Sequence, residues 1–121
     1  MKVAISKLPK NPWWGTGIIG YKDNPAMRDG IIPNQNLLVK ERQNLIDTLN
    51  FNNIEVIQFS FPKELENKKY GHDFVFIRDA FISDLSGNAL LLKFSQKNRD
   101  AESTIISDYL EKLDYNIKEL P

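Results

Sequence analysis

Asp73-Phe74-Val75-Phe76-Ile77-Arg78-Asp79-Ala80-Phe81 is an apolar run that presents a charged pair, Arg78-Asp79, before turning apolar again. Its aromatic and β-branched content predicts a strand from Val75 to Ser83. A carboxylate set into such a run is costly to bury unless a cation pairs with it. Asp79 therefore has an internal cationic partner or receives a cationic ligand. On the C-terminal side, Asp84-Leu85-Ser86-Gly87-Asn88 reads as a hairpin turn in which Gly87 supplies positive φ, and a strand follows over Ala89 to Phe94. A helix is predicted over about 99–113, with Ile105, Ile106, Tyr109, Leu110 and Leu113 on its buried side. Asn98 is its expected N-cap, and Asp100 and Glu102 suit the first turn. Ile117 to Leu120 begins a last strand.

Toward the N-terminus, Val3 to Ile5 reads as a first strand, followed by a long loop of turn formers from Pro9 to Asn36. Ile18-Ile19-Gly20-Tyr21 is an expected strand inside that loop, and Trp13 and Trp14 read as packing on the core or lining a pocket mouth. A loop of this length inside a small domain is more often functional than idle. Leu37, Leu38, Arg42, Leu45, Ile46 and Leu49 fall at helical spacing and place a helix at about 35–51. Ile54 to Phe61 follows as a strand stopped by Pro62, and Glu64 to Tyr70 as a frayed helical turn. A shift of 61 positions lays Glu41 on Glu102, Leu45 on Ile106, Asp47 on Asp108, Leu49 on Leu110, Val56 on Ile117 and Phe59 on Leu120. Two amphipathic helices align by chance often enough. The ungapped helix-to-strand match nonetheless favours two copies of one strand–strand–helix–strand unit, over approximately 1–61 and 73–121. Units of this kind need neighbours to bury their faces.

The 121 residues suit one α/β domain with a modest core. Hydrophobic residues at 41% and charged residues at 26% are ordinary for a globular chain. Sixteen basic residues balance sixteen acidic ones, so no basic excess points to nucleic acid or an anionic membrane. With no cysteine and one histidine, the sequence holds no thiol nucleophile and no thiolate or histidine-rich metal site. No cofactor is expected. His72 reads as an exposed loop residue. No apolar stretch reaches the ~18 residues of a membrane span, and the start lacks a signal-peptide core, so a cytoplasmic location is expected.

Asp73-x-x-Phe76-x-Arg78-Asp79, the hairpin after it and Asn98-Arg99-x-x-Glu102 opening a helix together resemble the guanidino-group modifying enzymes of the pentein fold. That family includes dimethylarginine dimethylaminohydrolases, arginine deiminases and amidinotransferases. The likeness runs from about Ile54 to Pro121 and more loosely through 35–51, and Asn11-Pro12-Trp13 resembles a turn near the start of the dimethylarginine hydrolases. The resemblance implies a partial α/β propeller, because the family repeats such units around a pseudo-fivefold axis. It also implies that Asp79 binds a substrate guanidinium, whose paired N–H donors a carboxylate accepts bidentately. Asp73 then matches a second substrate-contacting acid, and Arg99 a basic residue that helps hold the substrate carboxylate. A straight strand would set Asp73 and Asp79 about 20 Å apart, so one arginine-sized ligand reaches both only if the chain bends.

Arg78 stands where the dimethylarginine hydrolases often carry an acid, and is more like the arginine deiminases. The family's cysteine nucleophile, with its histidine and acidic helper, has no counterpart in this sequence. The resemblance therefore implies the N-terminal two-fifths to one-half of an enzyme acting on arginine, a methylarginine or another guanidine. Such a piece has substrate-binding carboxylates but no catalytic residue, and is inactive alone. The alternative is a non-catalytic binding or assembly module that self-associates or pairs with a complementing, catalytic C-terminal half. That reading lets Arg78 or Arg99 neutralise Asp79 permanently, whereas the enzyme reading wants Asp79 in an open pocket.

Overall fold

Strand β1 (Lys2–Ser6) pairs in parallel with β2 (Glu55–Phe59), Lys2 opposite Glu55 and Ser6 opposite Phe59. The computed structural model describes residues 1–10, 25–66, 71–95 and 97–120, with the side chains of Met27, His72 and Asn98 excepted. The expectations for Trp13, Trp14 and the strand at 18–21 lie outside the described residues, as does that for the side chain of His72. Between the two strands stand α1 (Pro25–Arg28) and the long helix α2 (Gln35–Phe51), whose bounds match the sequence expectation. The Asn34 side chain caps α2 by accepting from Leu37 N at 3.1 Å. Replacing Asn34 with alanine should lower stability by about 1 kcal/mol, read as a shift in the urea midpoint at unchanged slope.

A second sheet has the order β3-β4-β5: Phe81–Ser83 antiparallel to Asn88–Leu91, which pairs in parallel with Asn116–Glu119. The predicted hairpin connects the first two. Gly87 adopts φ 80, and Asp84 Oδ1 accepts from the backbone N–H groups of Ser86 and Asn88. Helix α3 (Asp100–Glu111) crosses from β4 to β5. Among the described residues the two sheets stay separate, and neither closes into a ring.

Helices α2 and α3 end alike. After α2, Asn53 takes φ 58, its N–H donates to Asn50 O, and Ile54 N–H donates to Leu49 O. After α3, Asp114 takes φ 61, its N–H donates to Glu111 O, and Tyr115 N–H donates to Leu110 O. The same left-handed stop thus turns each helix into its parallel strand. Burial does not follow the repeat. Ile106 and Leu110 are fully buried, while Leu45, matched to Ile106, and Leu37 are half exposed. Ile46 is the buried residue of α2. Leu113, expected on the inner side of α3, is also partly exposed.

The strand expected over Val75 to Ser83 requires correction. Gly71–Val75 and Ile77–Asp79 are 3-10 turns, closed by Phe76 N→Asp73 O, Asp79 N→Phe76 O and Ala80 N→Ile77 O bonds, and extended pairing begins only at Phe81. The buried residues explain why. Phe74, Ile77 and Ala80 are spaced by three, the period of a 3-10 helix, and all three lie in the core. An apolar composition raised the strand propensity, but there is no alternation of two to put the run on a sheet. Phe74 packs edge-on against Phe61, with ring centroids 5.7 Å apart. Phe59 stacks on Tyr109 at 4.7 Å, and the Tyr109 hydroxyl donates to Ser60 O, joining the first sheet to α3.

Candidate functional site

Gly71 starts the turn that carries Asp73. A Cβ at this position would collide with the Leu65 carbonyl, so only glycine lets the two segments pass. From there the two 3-10 turns carry the chain to Asp79. At ~2 Å rise per residue the six steps from Asp73 span about 12 Å, against about 20 Å for a strand. The stretch expected to be straight is therefore shortened.

A single guanidinium ties this region together. Arg99 Nε donates to Glu102 Oε1 at 2.9 Å, and Nη2 to Glu102 Oε2 at 2.8 Å, a bidentate fork. The remaining nitrogen, Nη1, donates to Asp79 Oδ2 at 3.3 Å, while Nη2 also reaches the Asp73 carbonyl at 3.4 Å. Phe94 lies under the guanidinium, its ring centroid 4.1 Å from Cζ. Side-chain exposure separates the partners: Glu102 is 3% exposed, Arg99 11% and Asp79 41%. Asp73 is buried beside them. The other oxygen of Asp79 is 3.6 Å from Arg78 Nε, a looser contact to a side chain that is 89% exposed.

The electrostatics follow from this packing. Burial pushes the Glu102 carboxyl above its ordinary value, the hydrogen bonds and charge of Arg99 pull it back, and the charges of Asp73 and Asp79 push it up again. Burial by itself would lower Arg99. Its bonds to Glu102 and Asp79, with the charges of Glu102 and Asp73, outweigh that and raise it. Three acids around one buried arginine form a net acidic cluster whose most accessible member is Asp79.

The structure brings together Asp73, Asp79 and Arg99, the three residues singled out in the sequence. It adds two that the sequence reading did not select as site residues. Glu102 was legible through the Arg-x-x-Glu spacing, which puts the two on one helix face. Phe94 had no signal in sequence. The expected cap at Asn98 is corrected as well. A 3-10 turn, Lys97–Arg99, leads into α3, and the N-cap position belongs to Arg99, which makes no side-chain cap bond because a guanidinium has only donors and cannot accept from the helix N–H groups. A groove of about 560 Å³, lined by Leu91, Phe94, Lys97, Ser103, Asp108 and Leu120 among others, includes neither Asp73 nor Asp79. No helix among the described residues is long and apolar enough to cross a membrane.

No protein-family model matches the sequence, and no curated protein does. Solved structures match along almost the whole chain. The complex of an AgrE variant with L-arginine superposes with a TM-score of 0.73 at 22% identity, over 99% of this chain and 16% of that one. AgrE with ornithine and NAD+ gives 0.72 at 23% identity, over 99% and 16%. The substrate-bound N-terminal domain of ArgZ, an arginine dihydrolase of the ornithine–ammonia cycle in Cyanobacteria, gives 0.72 at 22% identity, over 99% and 40%. The chain thus spans less than half the length of these structures. Its fold is that of part of a pentein-type domain.

Proposed function

We propose that this chain supplies the guanidinium-recognition part of a pentein-type site acting on arginine or a related guanidine. The observation that carries the reading is the state of Asp79. It is partly open to solvent, yet held at one oxygen by an arginine that is itself fixed by a buried glutamate. A carboxylate prepared in this way can accept the paired N–H donors of a planar guanidinium with little reorganisation. Asp73, at the start of the same bent segment, adds a second acid to the cationic end of the ligand. Arg99 has its fork on Glu102 and its third nitrogen on Asp79, a geometry that favours positioning Asp79 over direct contact with a substrate carboxylate.

In this reading the units over 1–61 and 73–121 are two blades of an α/β propeller, and the remaining blades and the nucleophile come from other residues. Attack on the guanidinium carbon needs a nucleophile such as a thiolate, and this sequence has no cysteine. The chain should therefore bind L-arginine weakly, with a dissociation constant on the order of millimolar, and release no citrulline, ornithine or ammonia from it. An NMR titration run beside a product assay tests both statements. Turnover by the chain alone would overturn the second, and the absence of saturable binding the first. In the alternative of a non-catalytic assembly module, Arg78 and Arg99, both ion-paired with Asp79, can neutralise it permanently, and that reading predicts no saturable binding of L-arginine.

A further inference from the structure

Asp79 lies between two guanidinium groups of very different character. Arg99 is buried, stacked on Phe94 and held by two bonds to Glu102, so it cannot leave without exposing a buried carboxylate. Arg78 is its opposite: 89% exposed, at 3.6 Å from Asp79 Oδ1, outside hydrogen-bond distance, and adjacent in sequence. A guanidinium ligand that binds Asp79 bidentately needs both oxygens. It can share Oδ2 with Arg99, because a carboxylate oxygen accepts more than one bond. It cannot share the approach to Oδ1 with Arg78, whose charge repels it there. From this geometry we propose that Arg78 is an internal competitor: a tethered guanidinium that covers Asp79 Oδ1 and is displaced when an external guanidinium binds.

Arg78 is thereby a specificity-determining residue. It sets a threshold that weak monovalent cations do not pass, because they gain one Coulombic contact where a planar guanidinium gains two directed bonds. The inference rests on the proposed role of Asp79, and the experiment separates the two. The probe is methylguanidinium chloride, which has no carboxylate of its own for Arg78 to attract. It is titrated into the full chain by NMR at constant ionic strength, for the unaltered protein, Arg78→Gln, Arg78→Lys and Asp79→Asn. Arg78→Gln should bind methylguanidinium twofold to fivefold more tightly, the range set by an exposed ion pair, and the gain should shrink in high salt. Arg78→Lys, which keeps the charge, should stay close to the unaltered protein. Unchanged or weaker binding by Arg78→Gln, with binding lost in Asp79→Asn, overturns the competitor and leaves the Asp79 reading standing. Binding that survives Asp79→Asn overturns both. Because Arg78 is exposed, loss of fold is not an expected outcome for its variants.

Discussion

Asp79→Asn should abolish saturable binding of L-arginine, weakening it by about 10- to 150-fold. Hydrogen bonds to charged groups contribute roughly 1.5–3 kcal/mol, and a guanidinium facing an amide loses both the charge and one of its two acceptors. The amide N–H₂ would also point a donor at a ligand that has only donors. The fold should tolerate the change. Arg99 keeps both bonds to the buried Glu102, and its contact with the partly exposed Asp79 is a single 3.3 Å bond. After discounting for solvent, that bond contributes about 1 kcal/mol or less. The decisive comparison is therefore between a titration and a melting curve on the same sample. Arginine binding retained in a folded Asp79→Asn chain would sink the proposed function. Lost binding with a collapsed melting curve would mean that Asp79 is chiefly structural.

Arg99→Leu should instead destabilise the chain, by about 3–5 kcal/mol at neutral pH. Glu102, at 3% exposure, would lose the cation that donates to both its oxygens, and an unpaired buried carboxylate is among the costliest features a core can hold. Asp73 and Asp79 would then face Glu102 with no buried positive charge among them. A second change relieves this. Arg99→Leu combined with Glu102→Leu removes the charge together with its partner and should recover most of the loss, since buried ion pairs are often replaceable by apolar packing.

The pH dependence gives an independent check. In the folded protein Glu102 already titrates above its ordinary value of 4.5, and the loss of Arg99 removes the hydrogen bonds and charge that hold it down. A folded state that retains a proton the unfolded state has released binds more protons, so stability falls as pH rises through that window. The Glu102 part of the penalty in Arg99→Leu should be largest at neutral and higher pH, shrink as the pH falls toward the ordinary glutamate value of about 4.5, and vanish below it, where both states hold the proton. The double variant has no Glu102 to titrate, so the difference between the two urea midpoints should narrow in acid. A difference independent of pH would mean that packing against Phe94, and not the buried charge, accounts for the effect.

Much of the local structure is legible in the residues because it is decided locally. Helix α2 carries apolar residues at helical spacing, a side-chain cap at Asn34 and a residue in the left-handed region just past its end, and these bring its bounds out as expected. The hairpin is likewise set by Asp84 and Gly87. Both α2 and α3 are followed by a residue in the left-handed region, Asn53 and Asp114. The charged pair Arg78-Asp79 marks the site for the same kind of reason: charge inside an apolar run requires an explanation wherever the chain goes.

What was misread depends on which faces meet. Val75 to Asp79 has the composition of a strand, but Phe74, Ile77 and Ala80 have one shared core to enter, and a period of three delivers them there where a period of two would not. The burial of α3, against the half-exposed apolar side chains of α2, follows from α3 packing on the first sheet through Tyr109 and Phe59. No propensity in either helix encodes that difference. The sequence by itself determined helix α2 and the hairpin turn, and the acidic residues available to a cation. Only the tertiary structure decided that Arg99, twenty residues beyond Asp79, spends its fork on Glu102 and one bond on Asp79. The reason is physical: a buried guanidinium goes to the acids that packing brings within reach, and packing is a property of the whole chain.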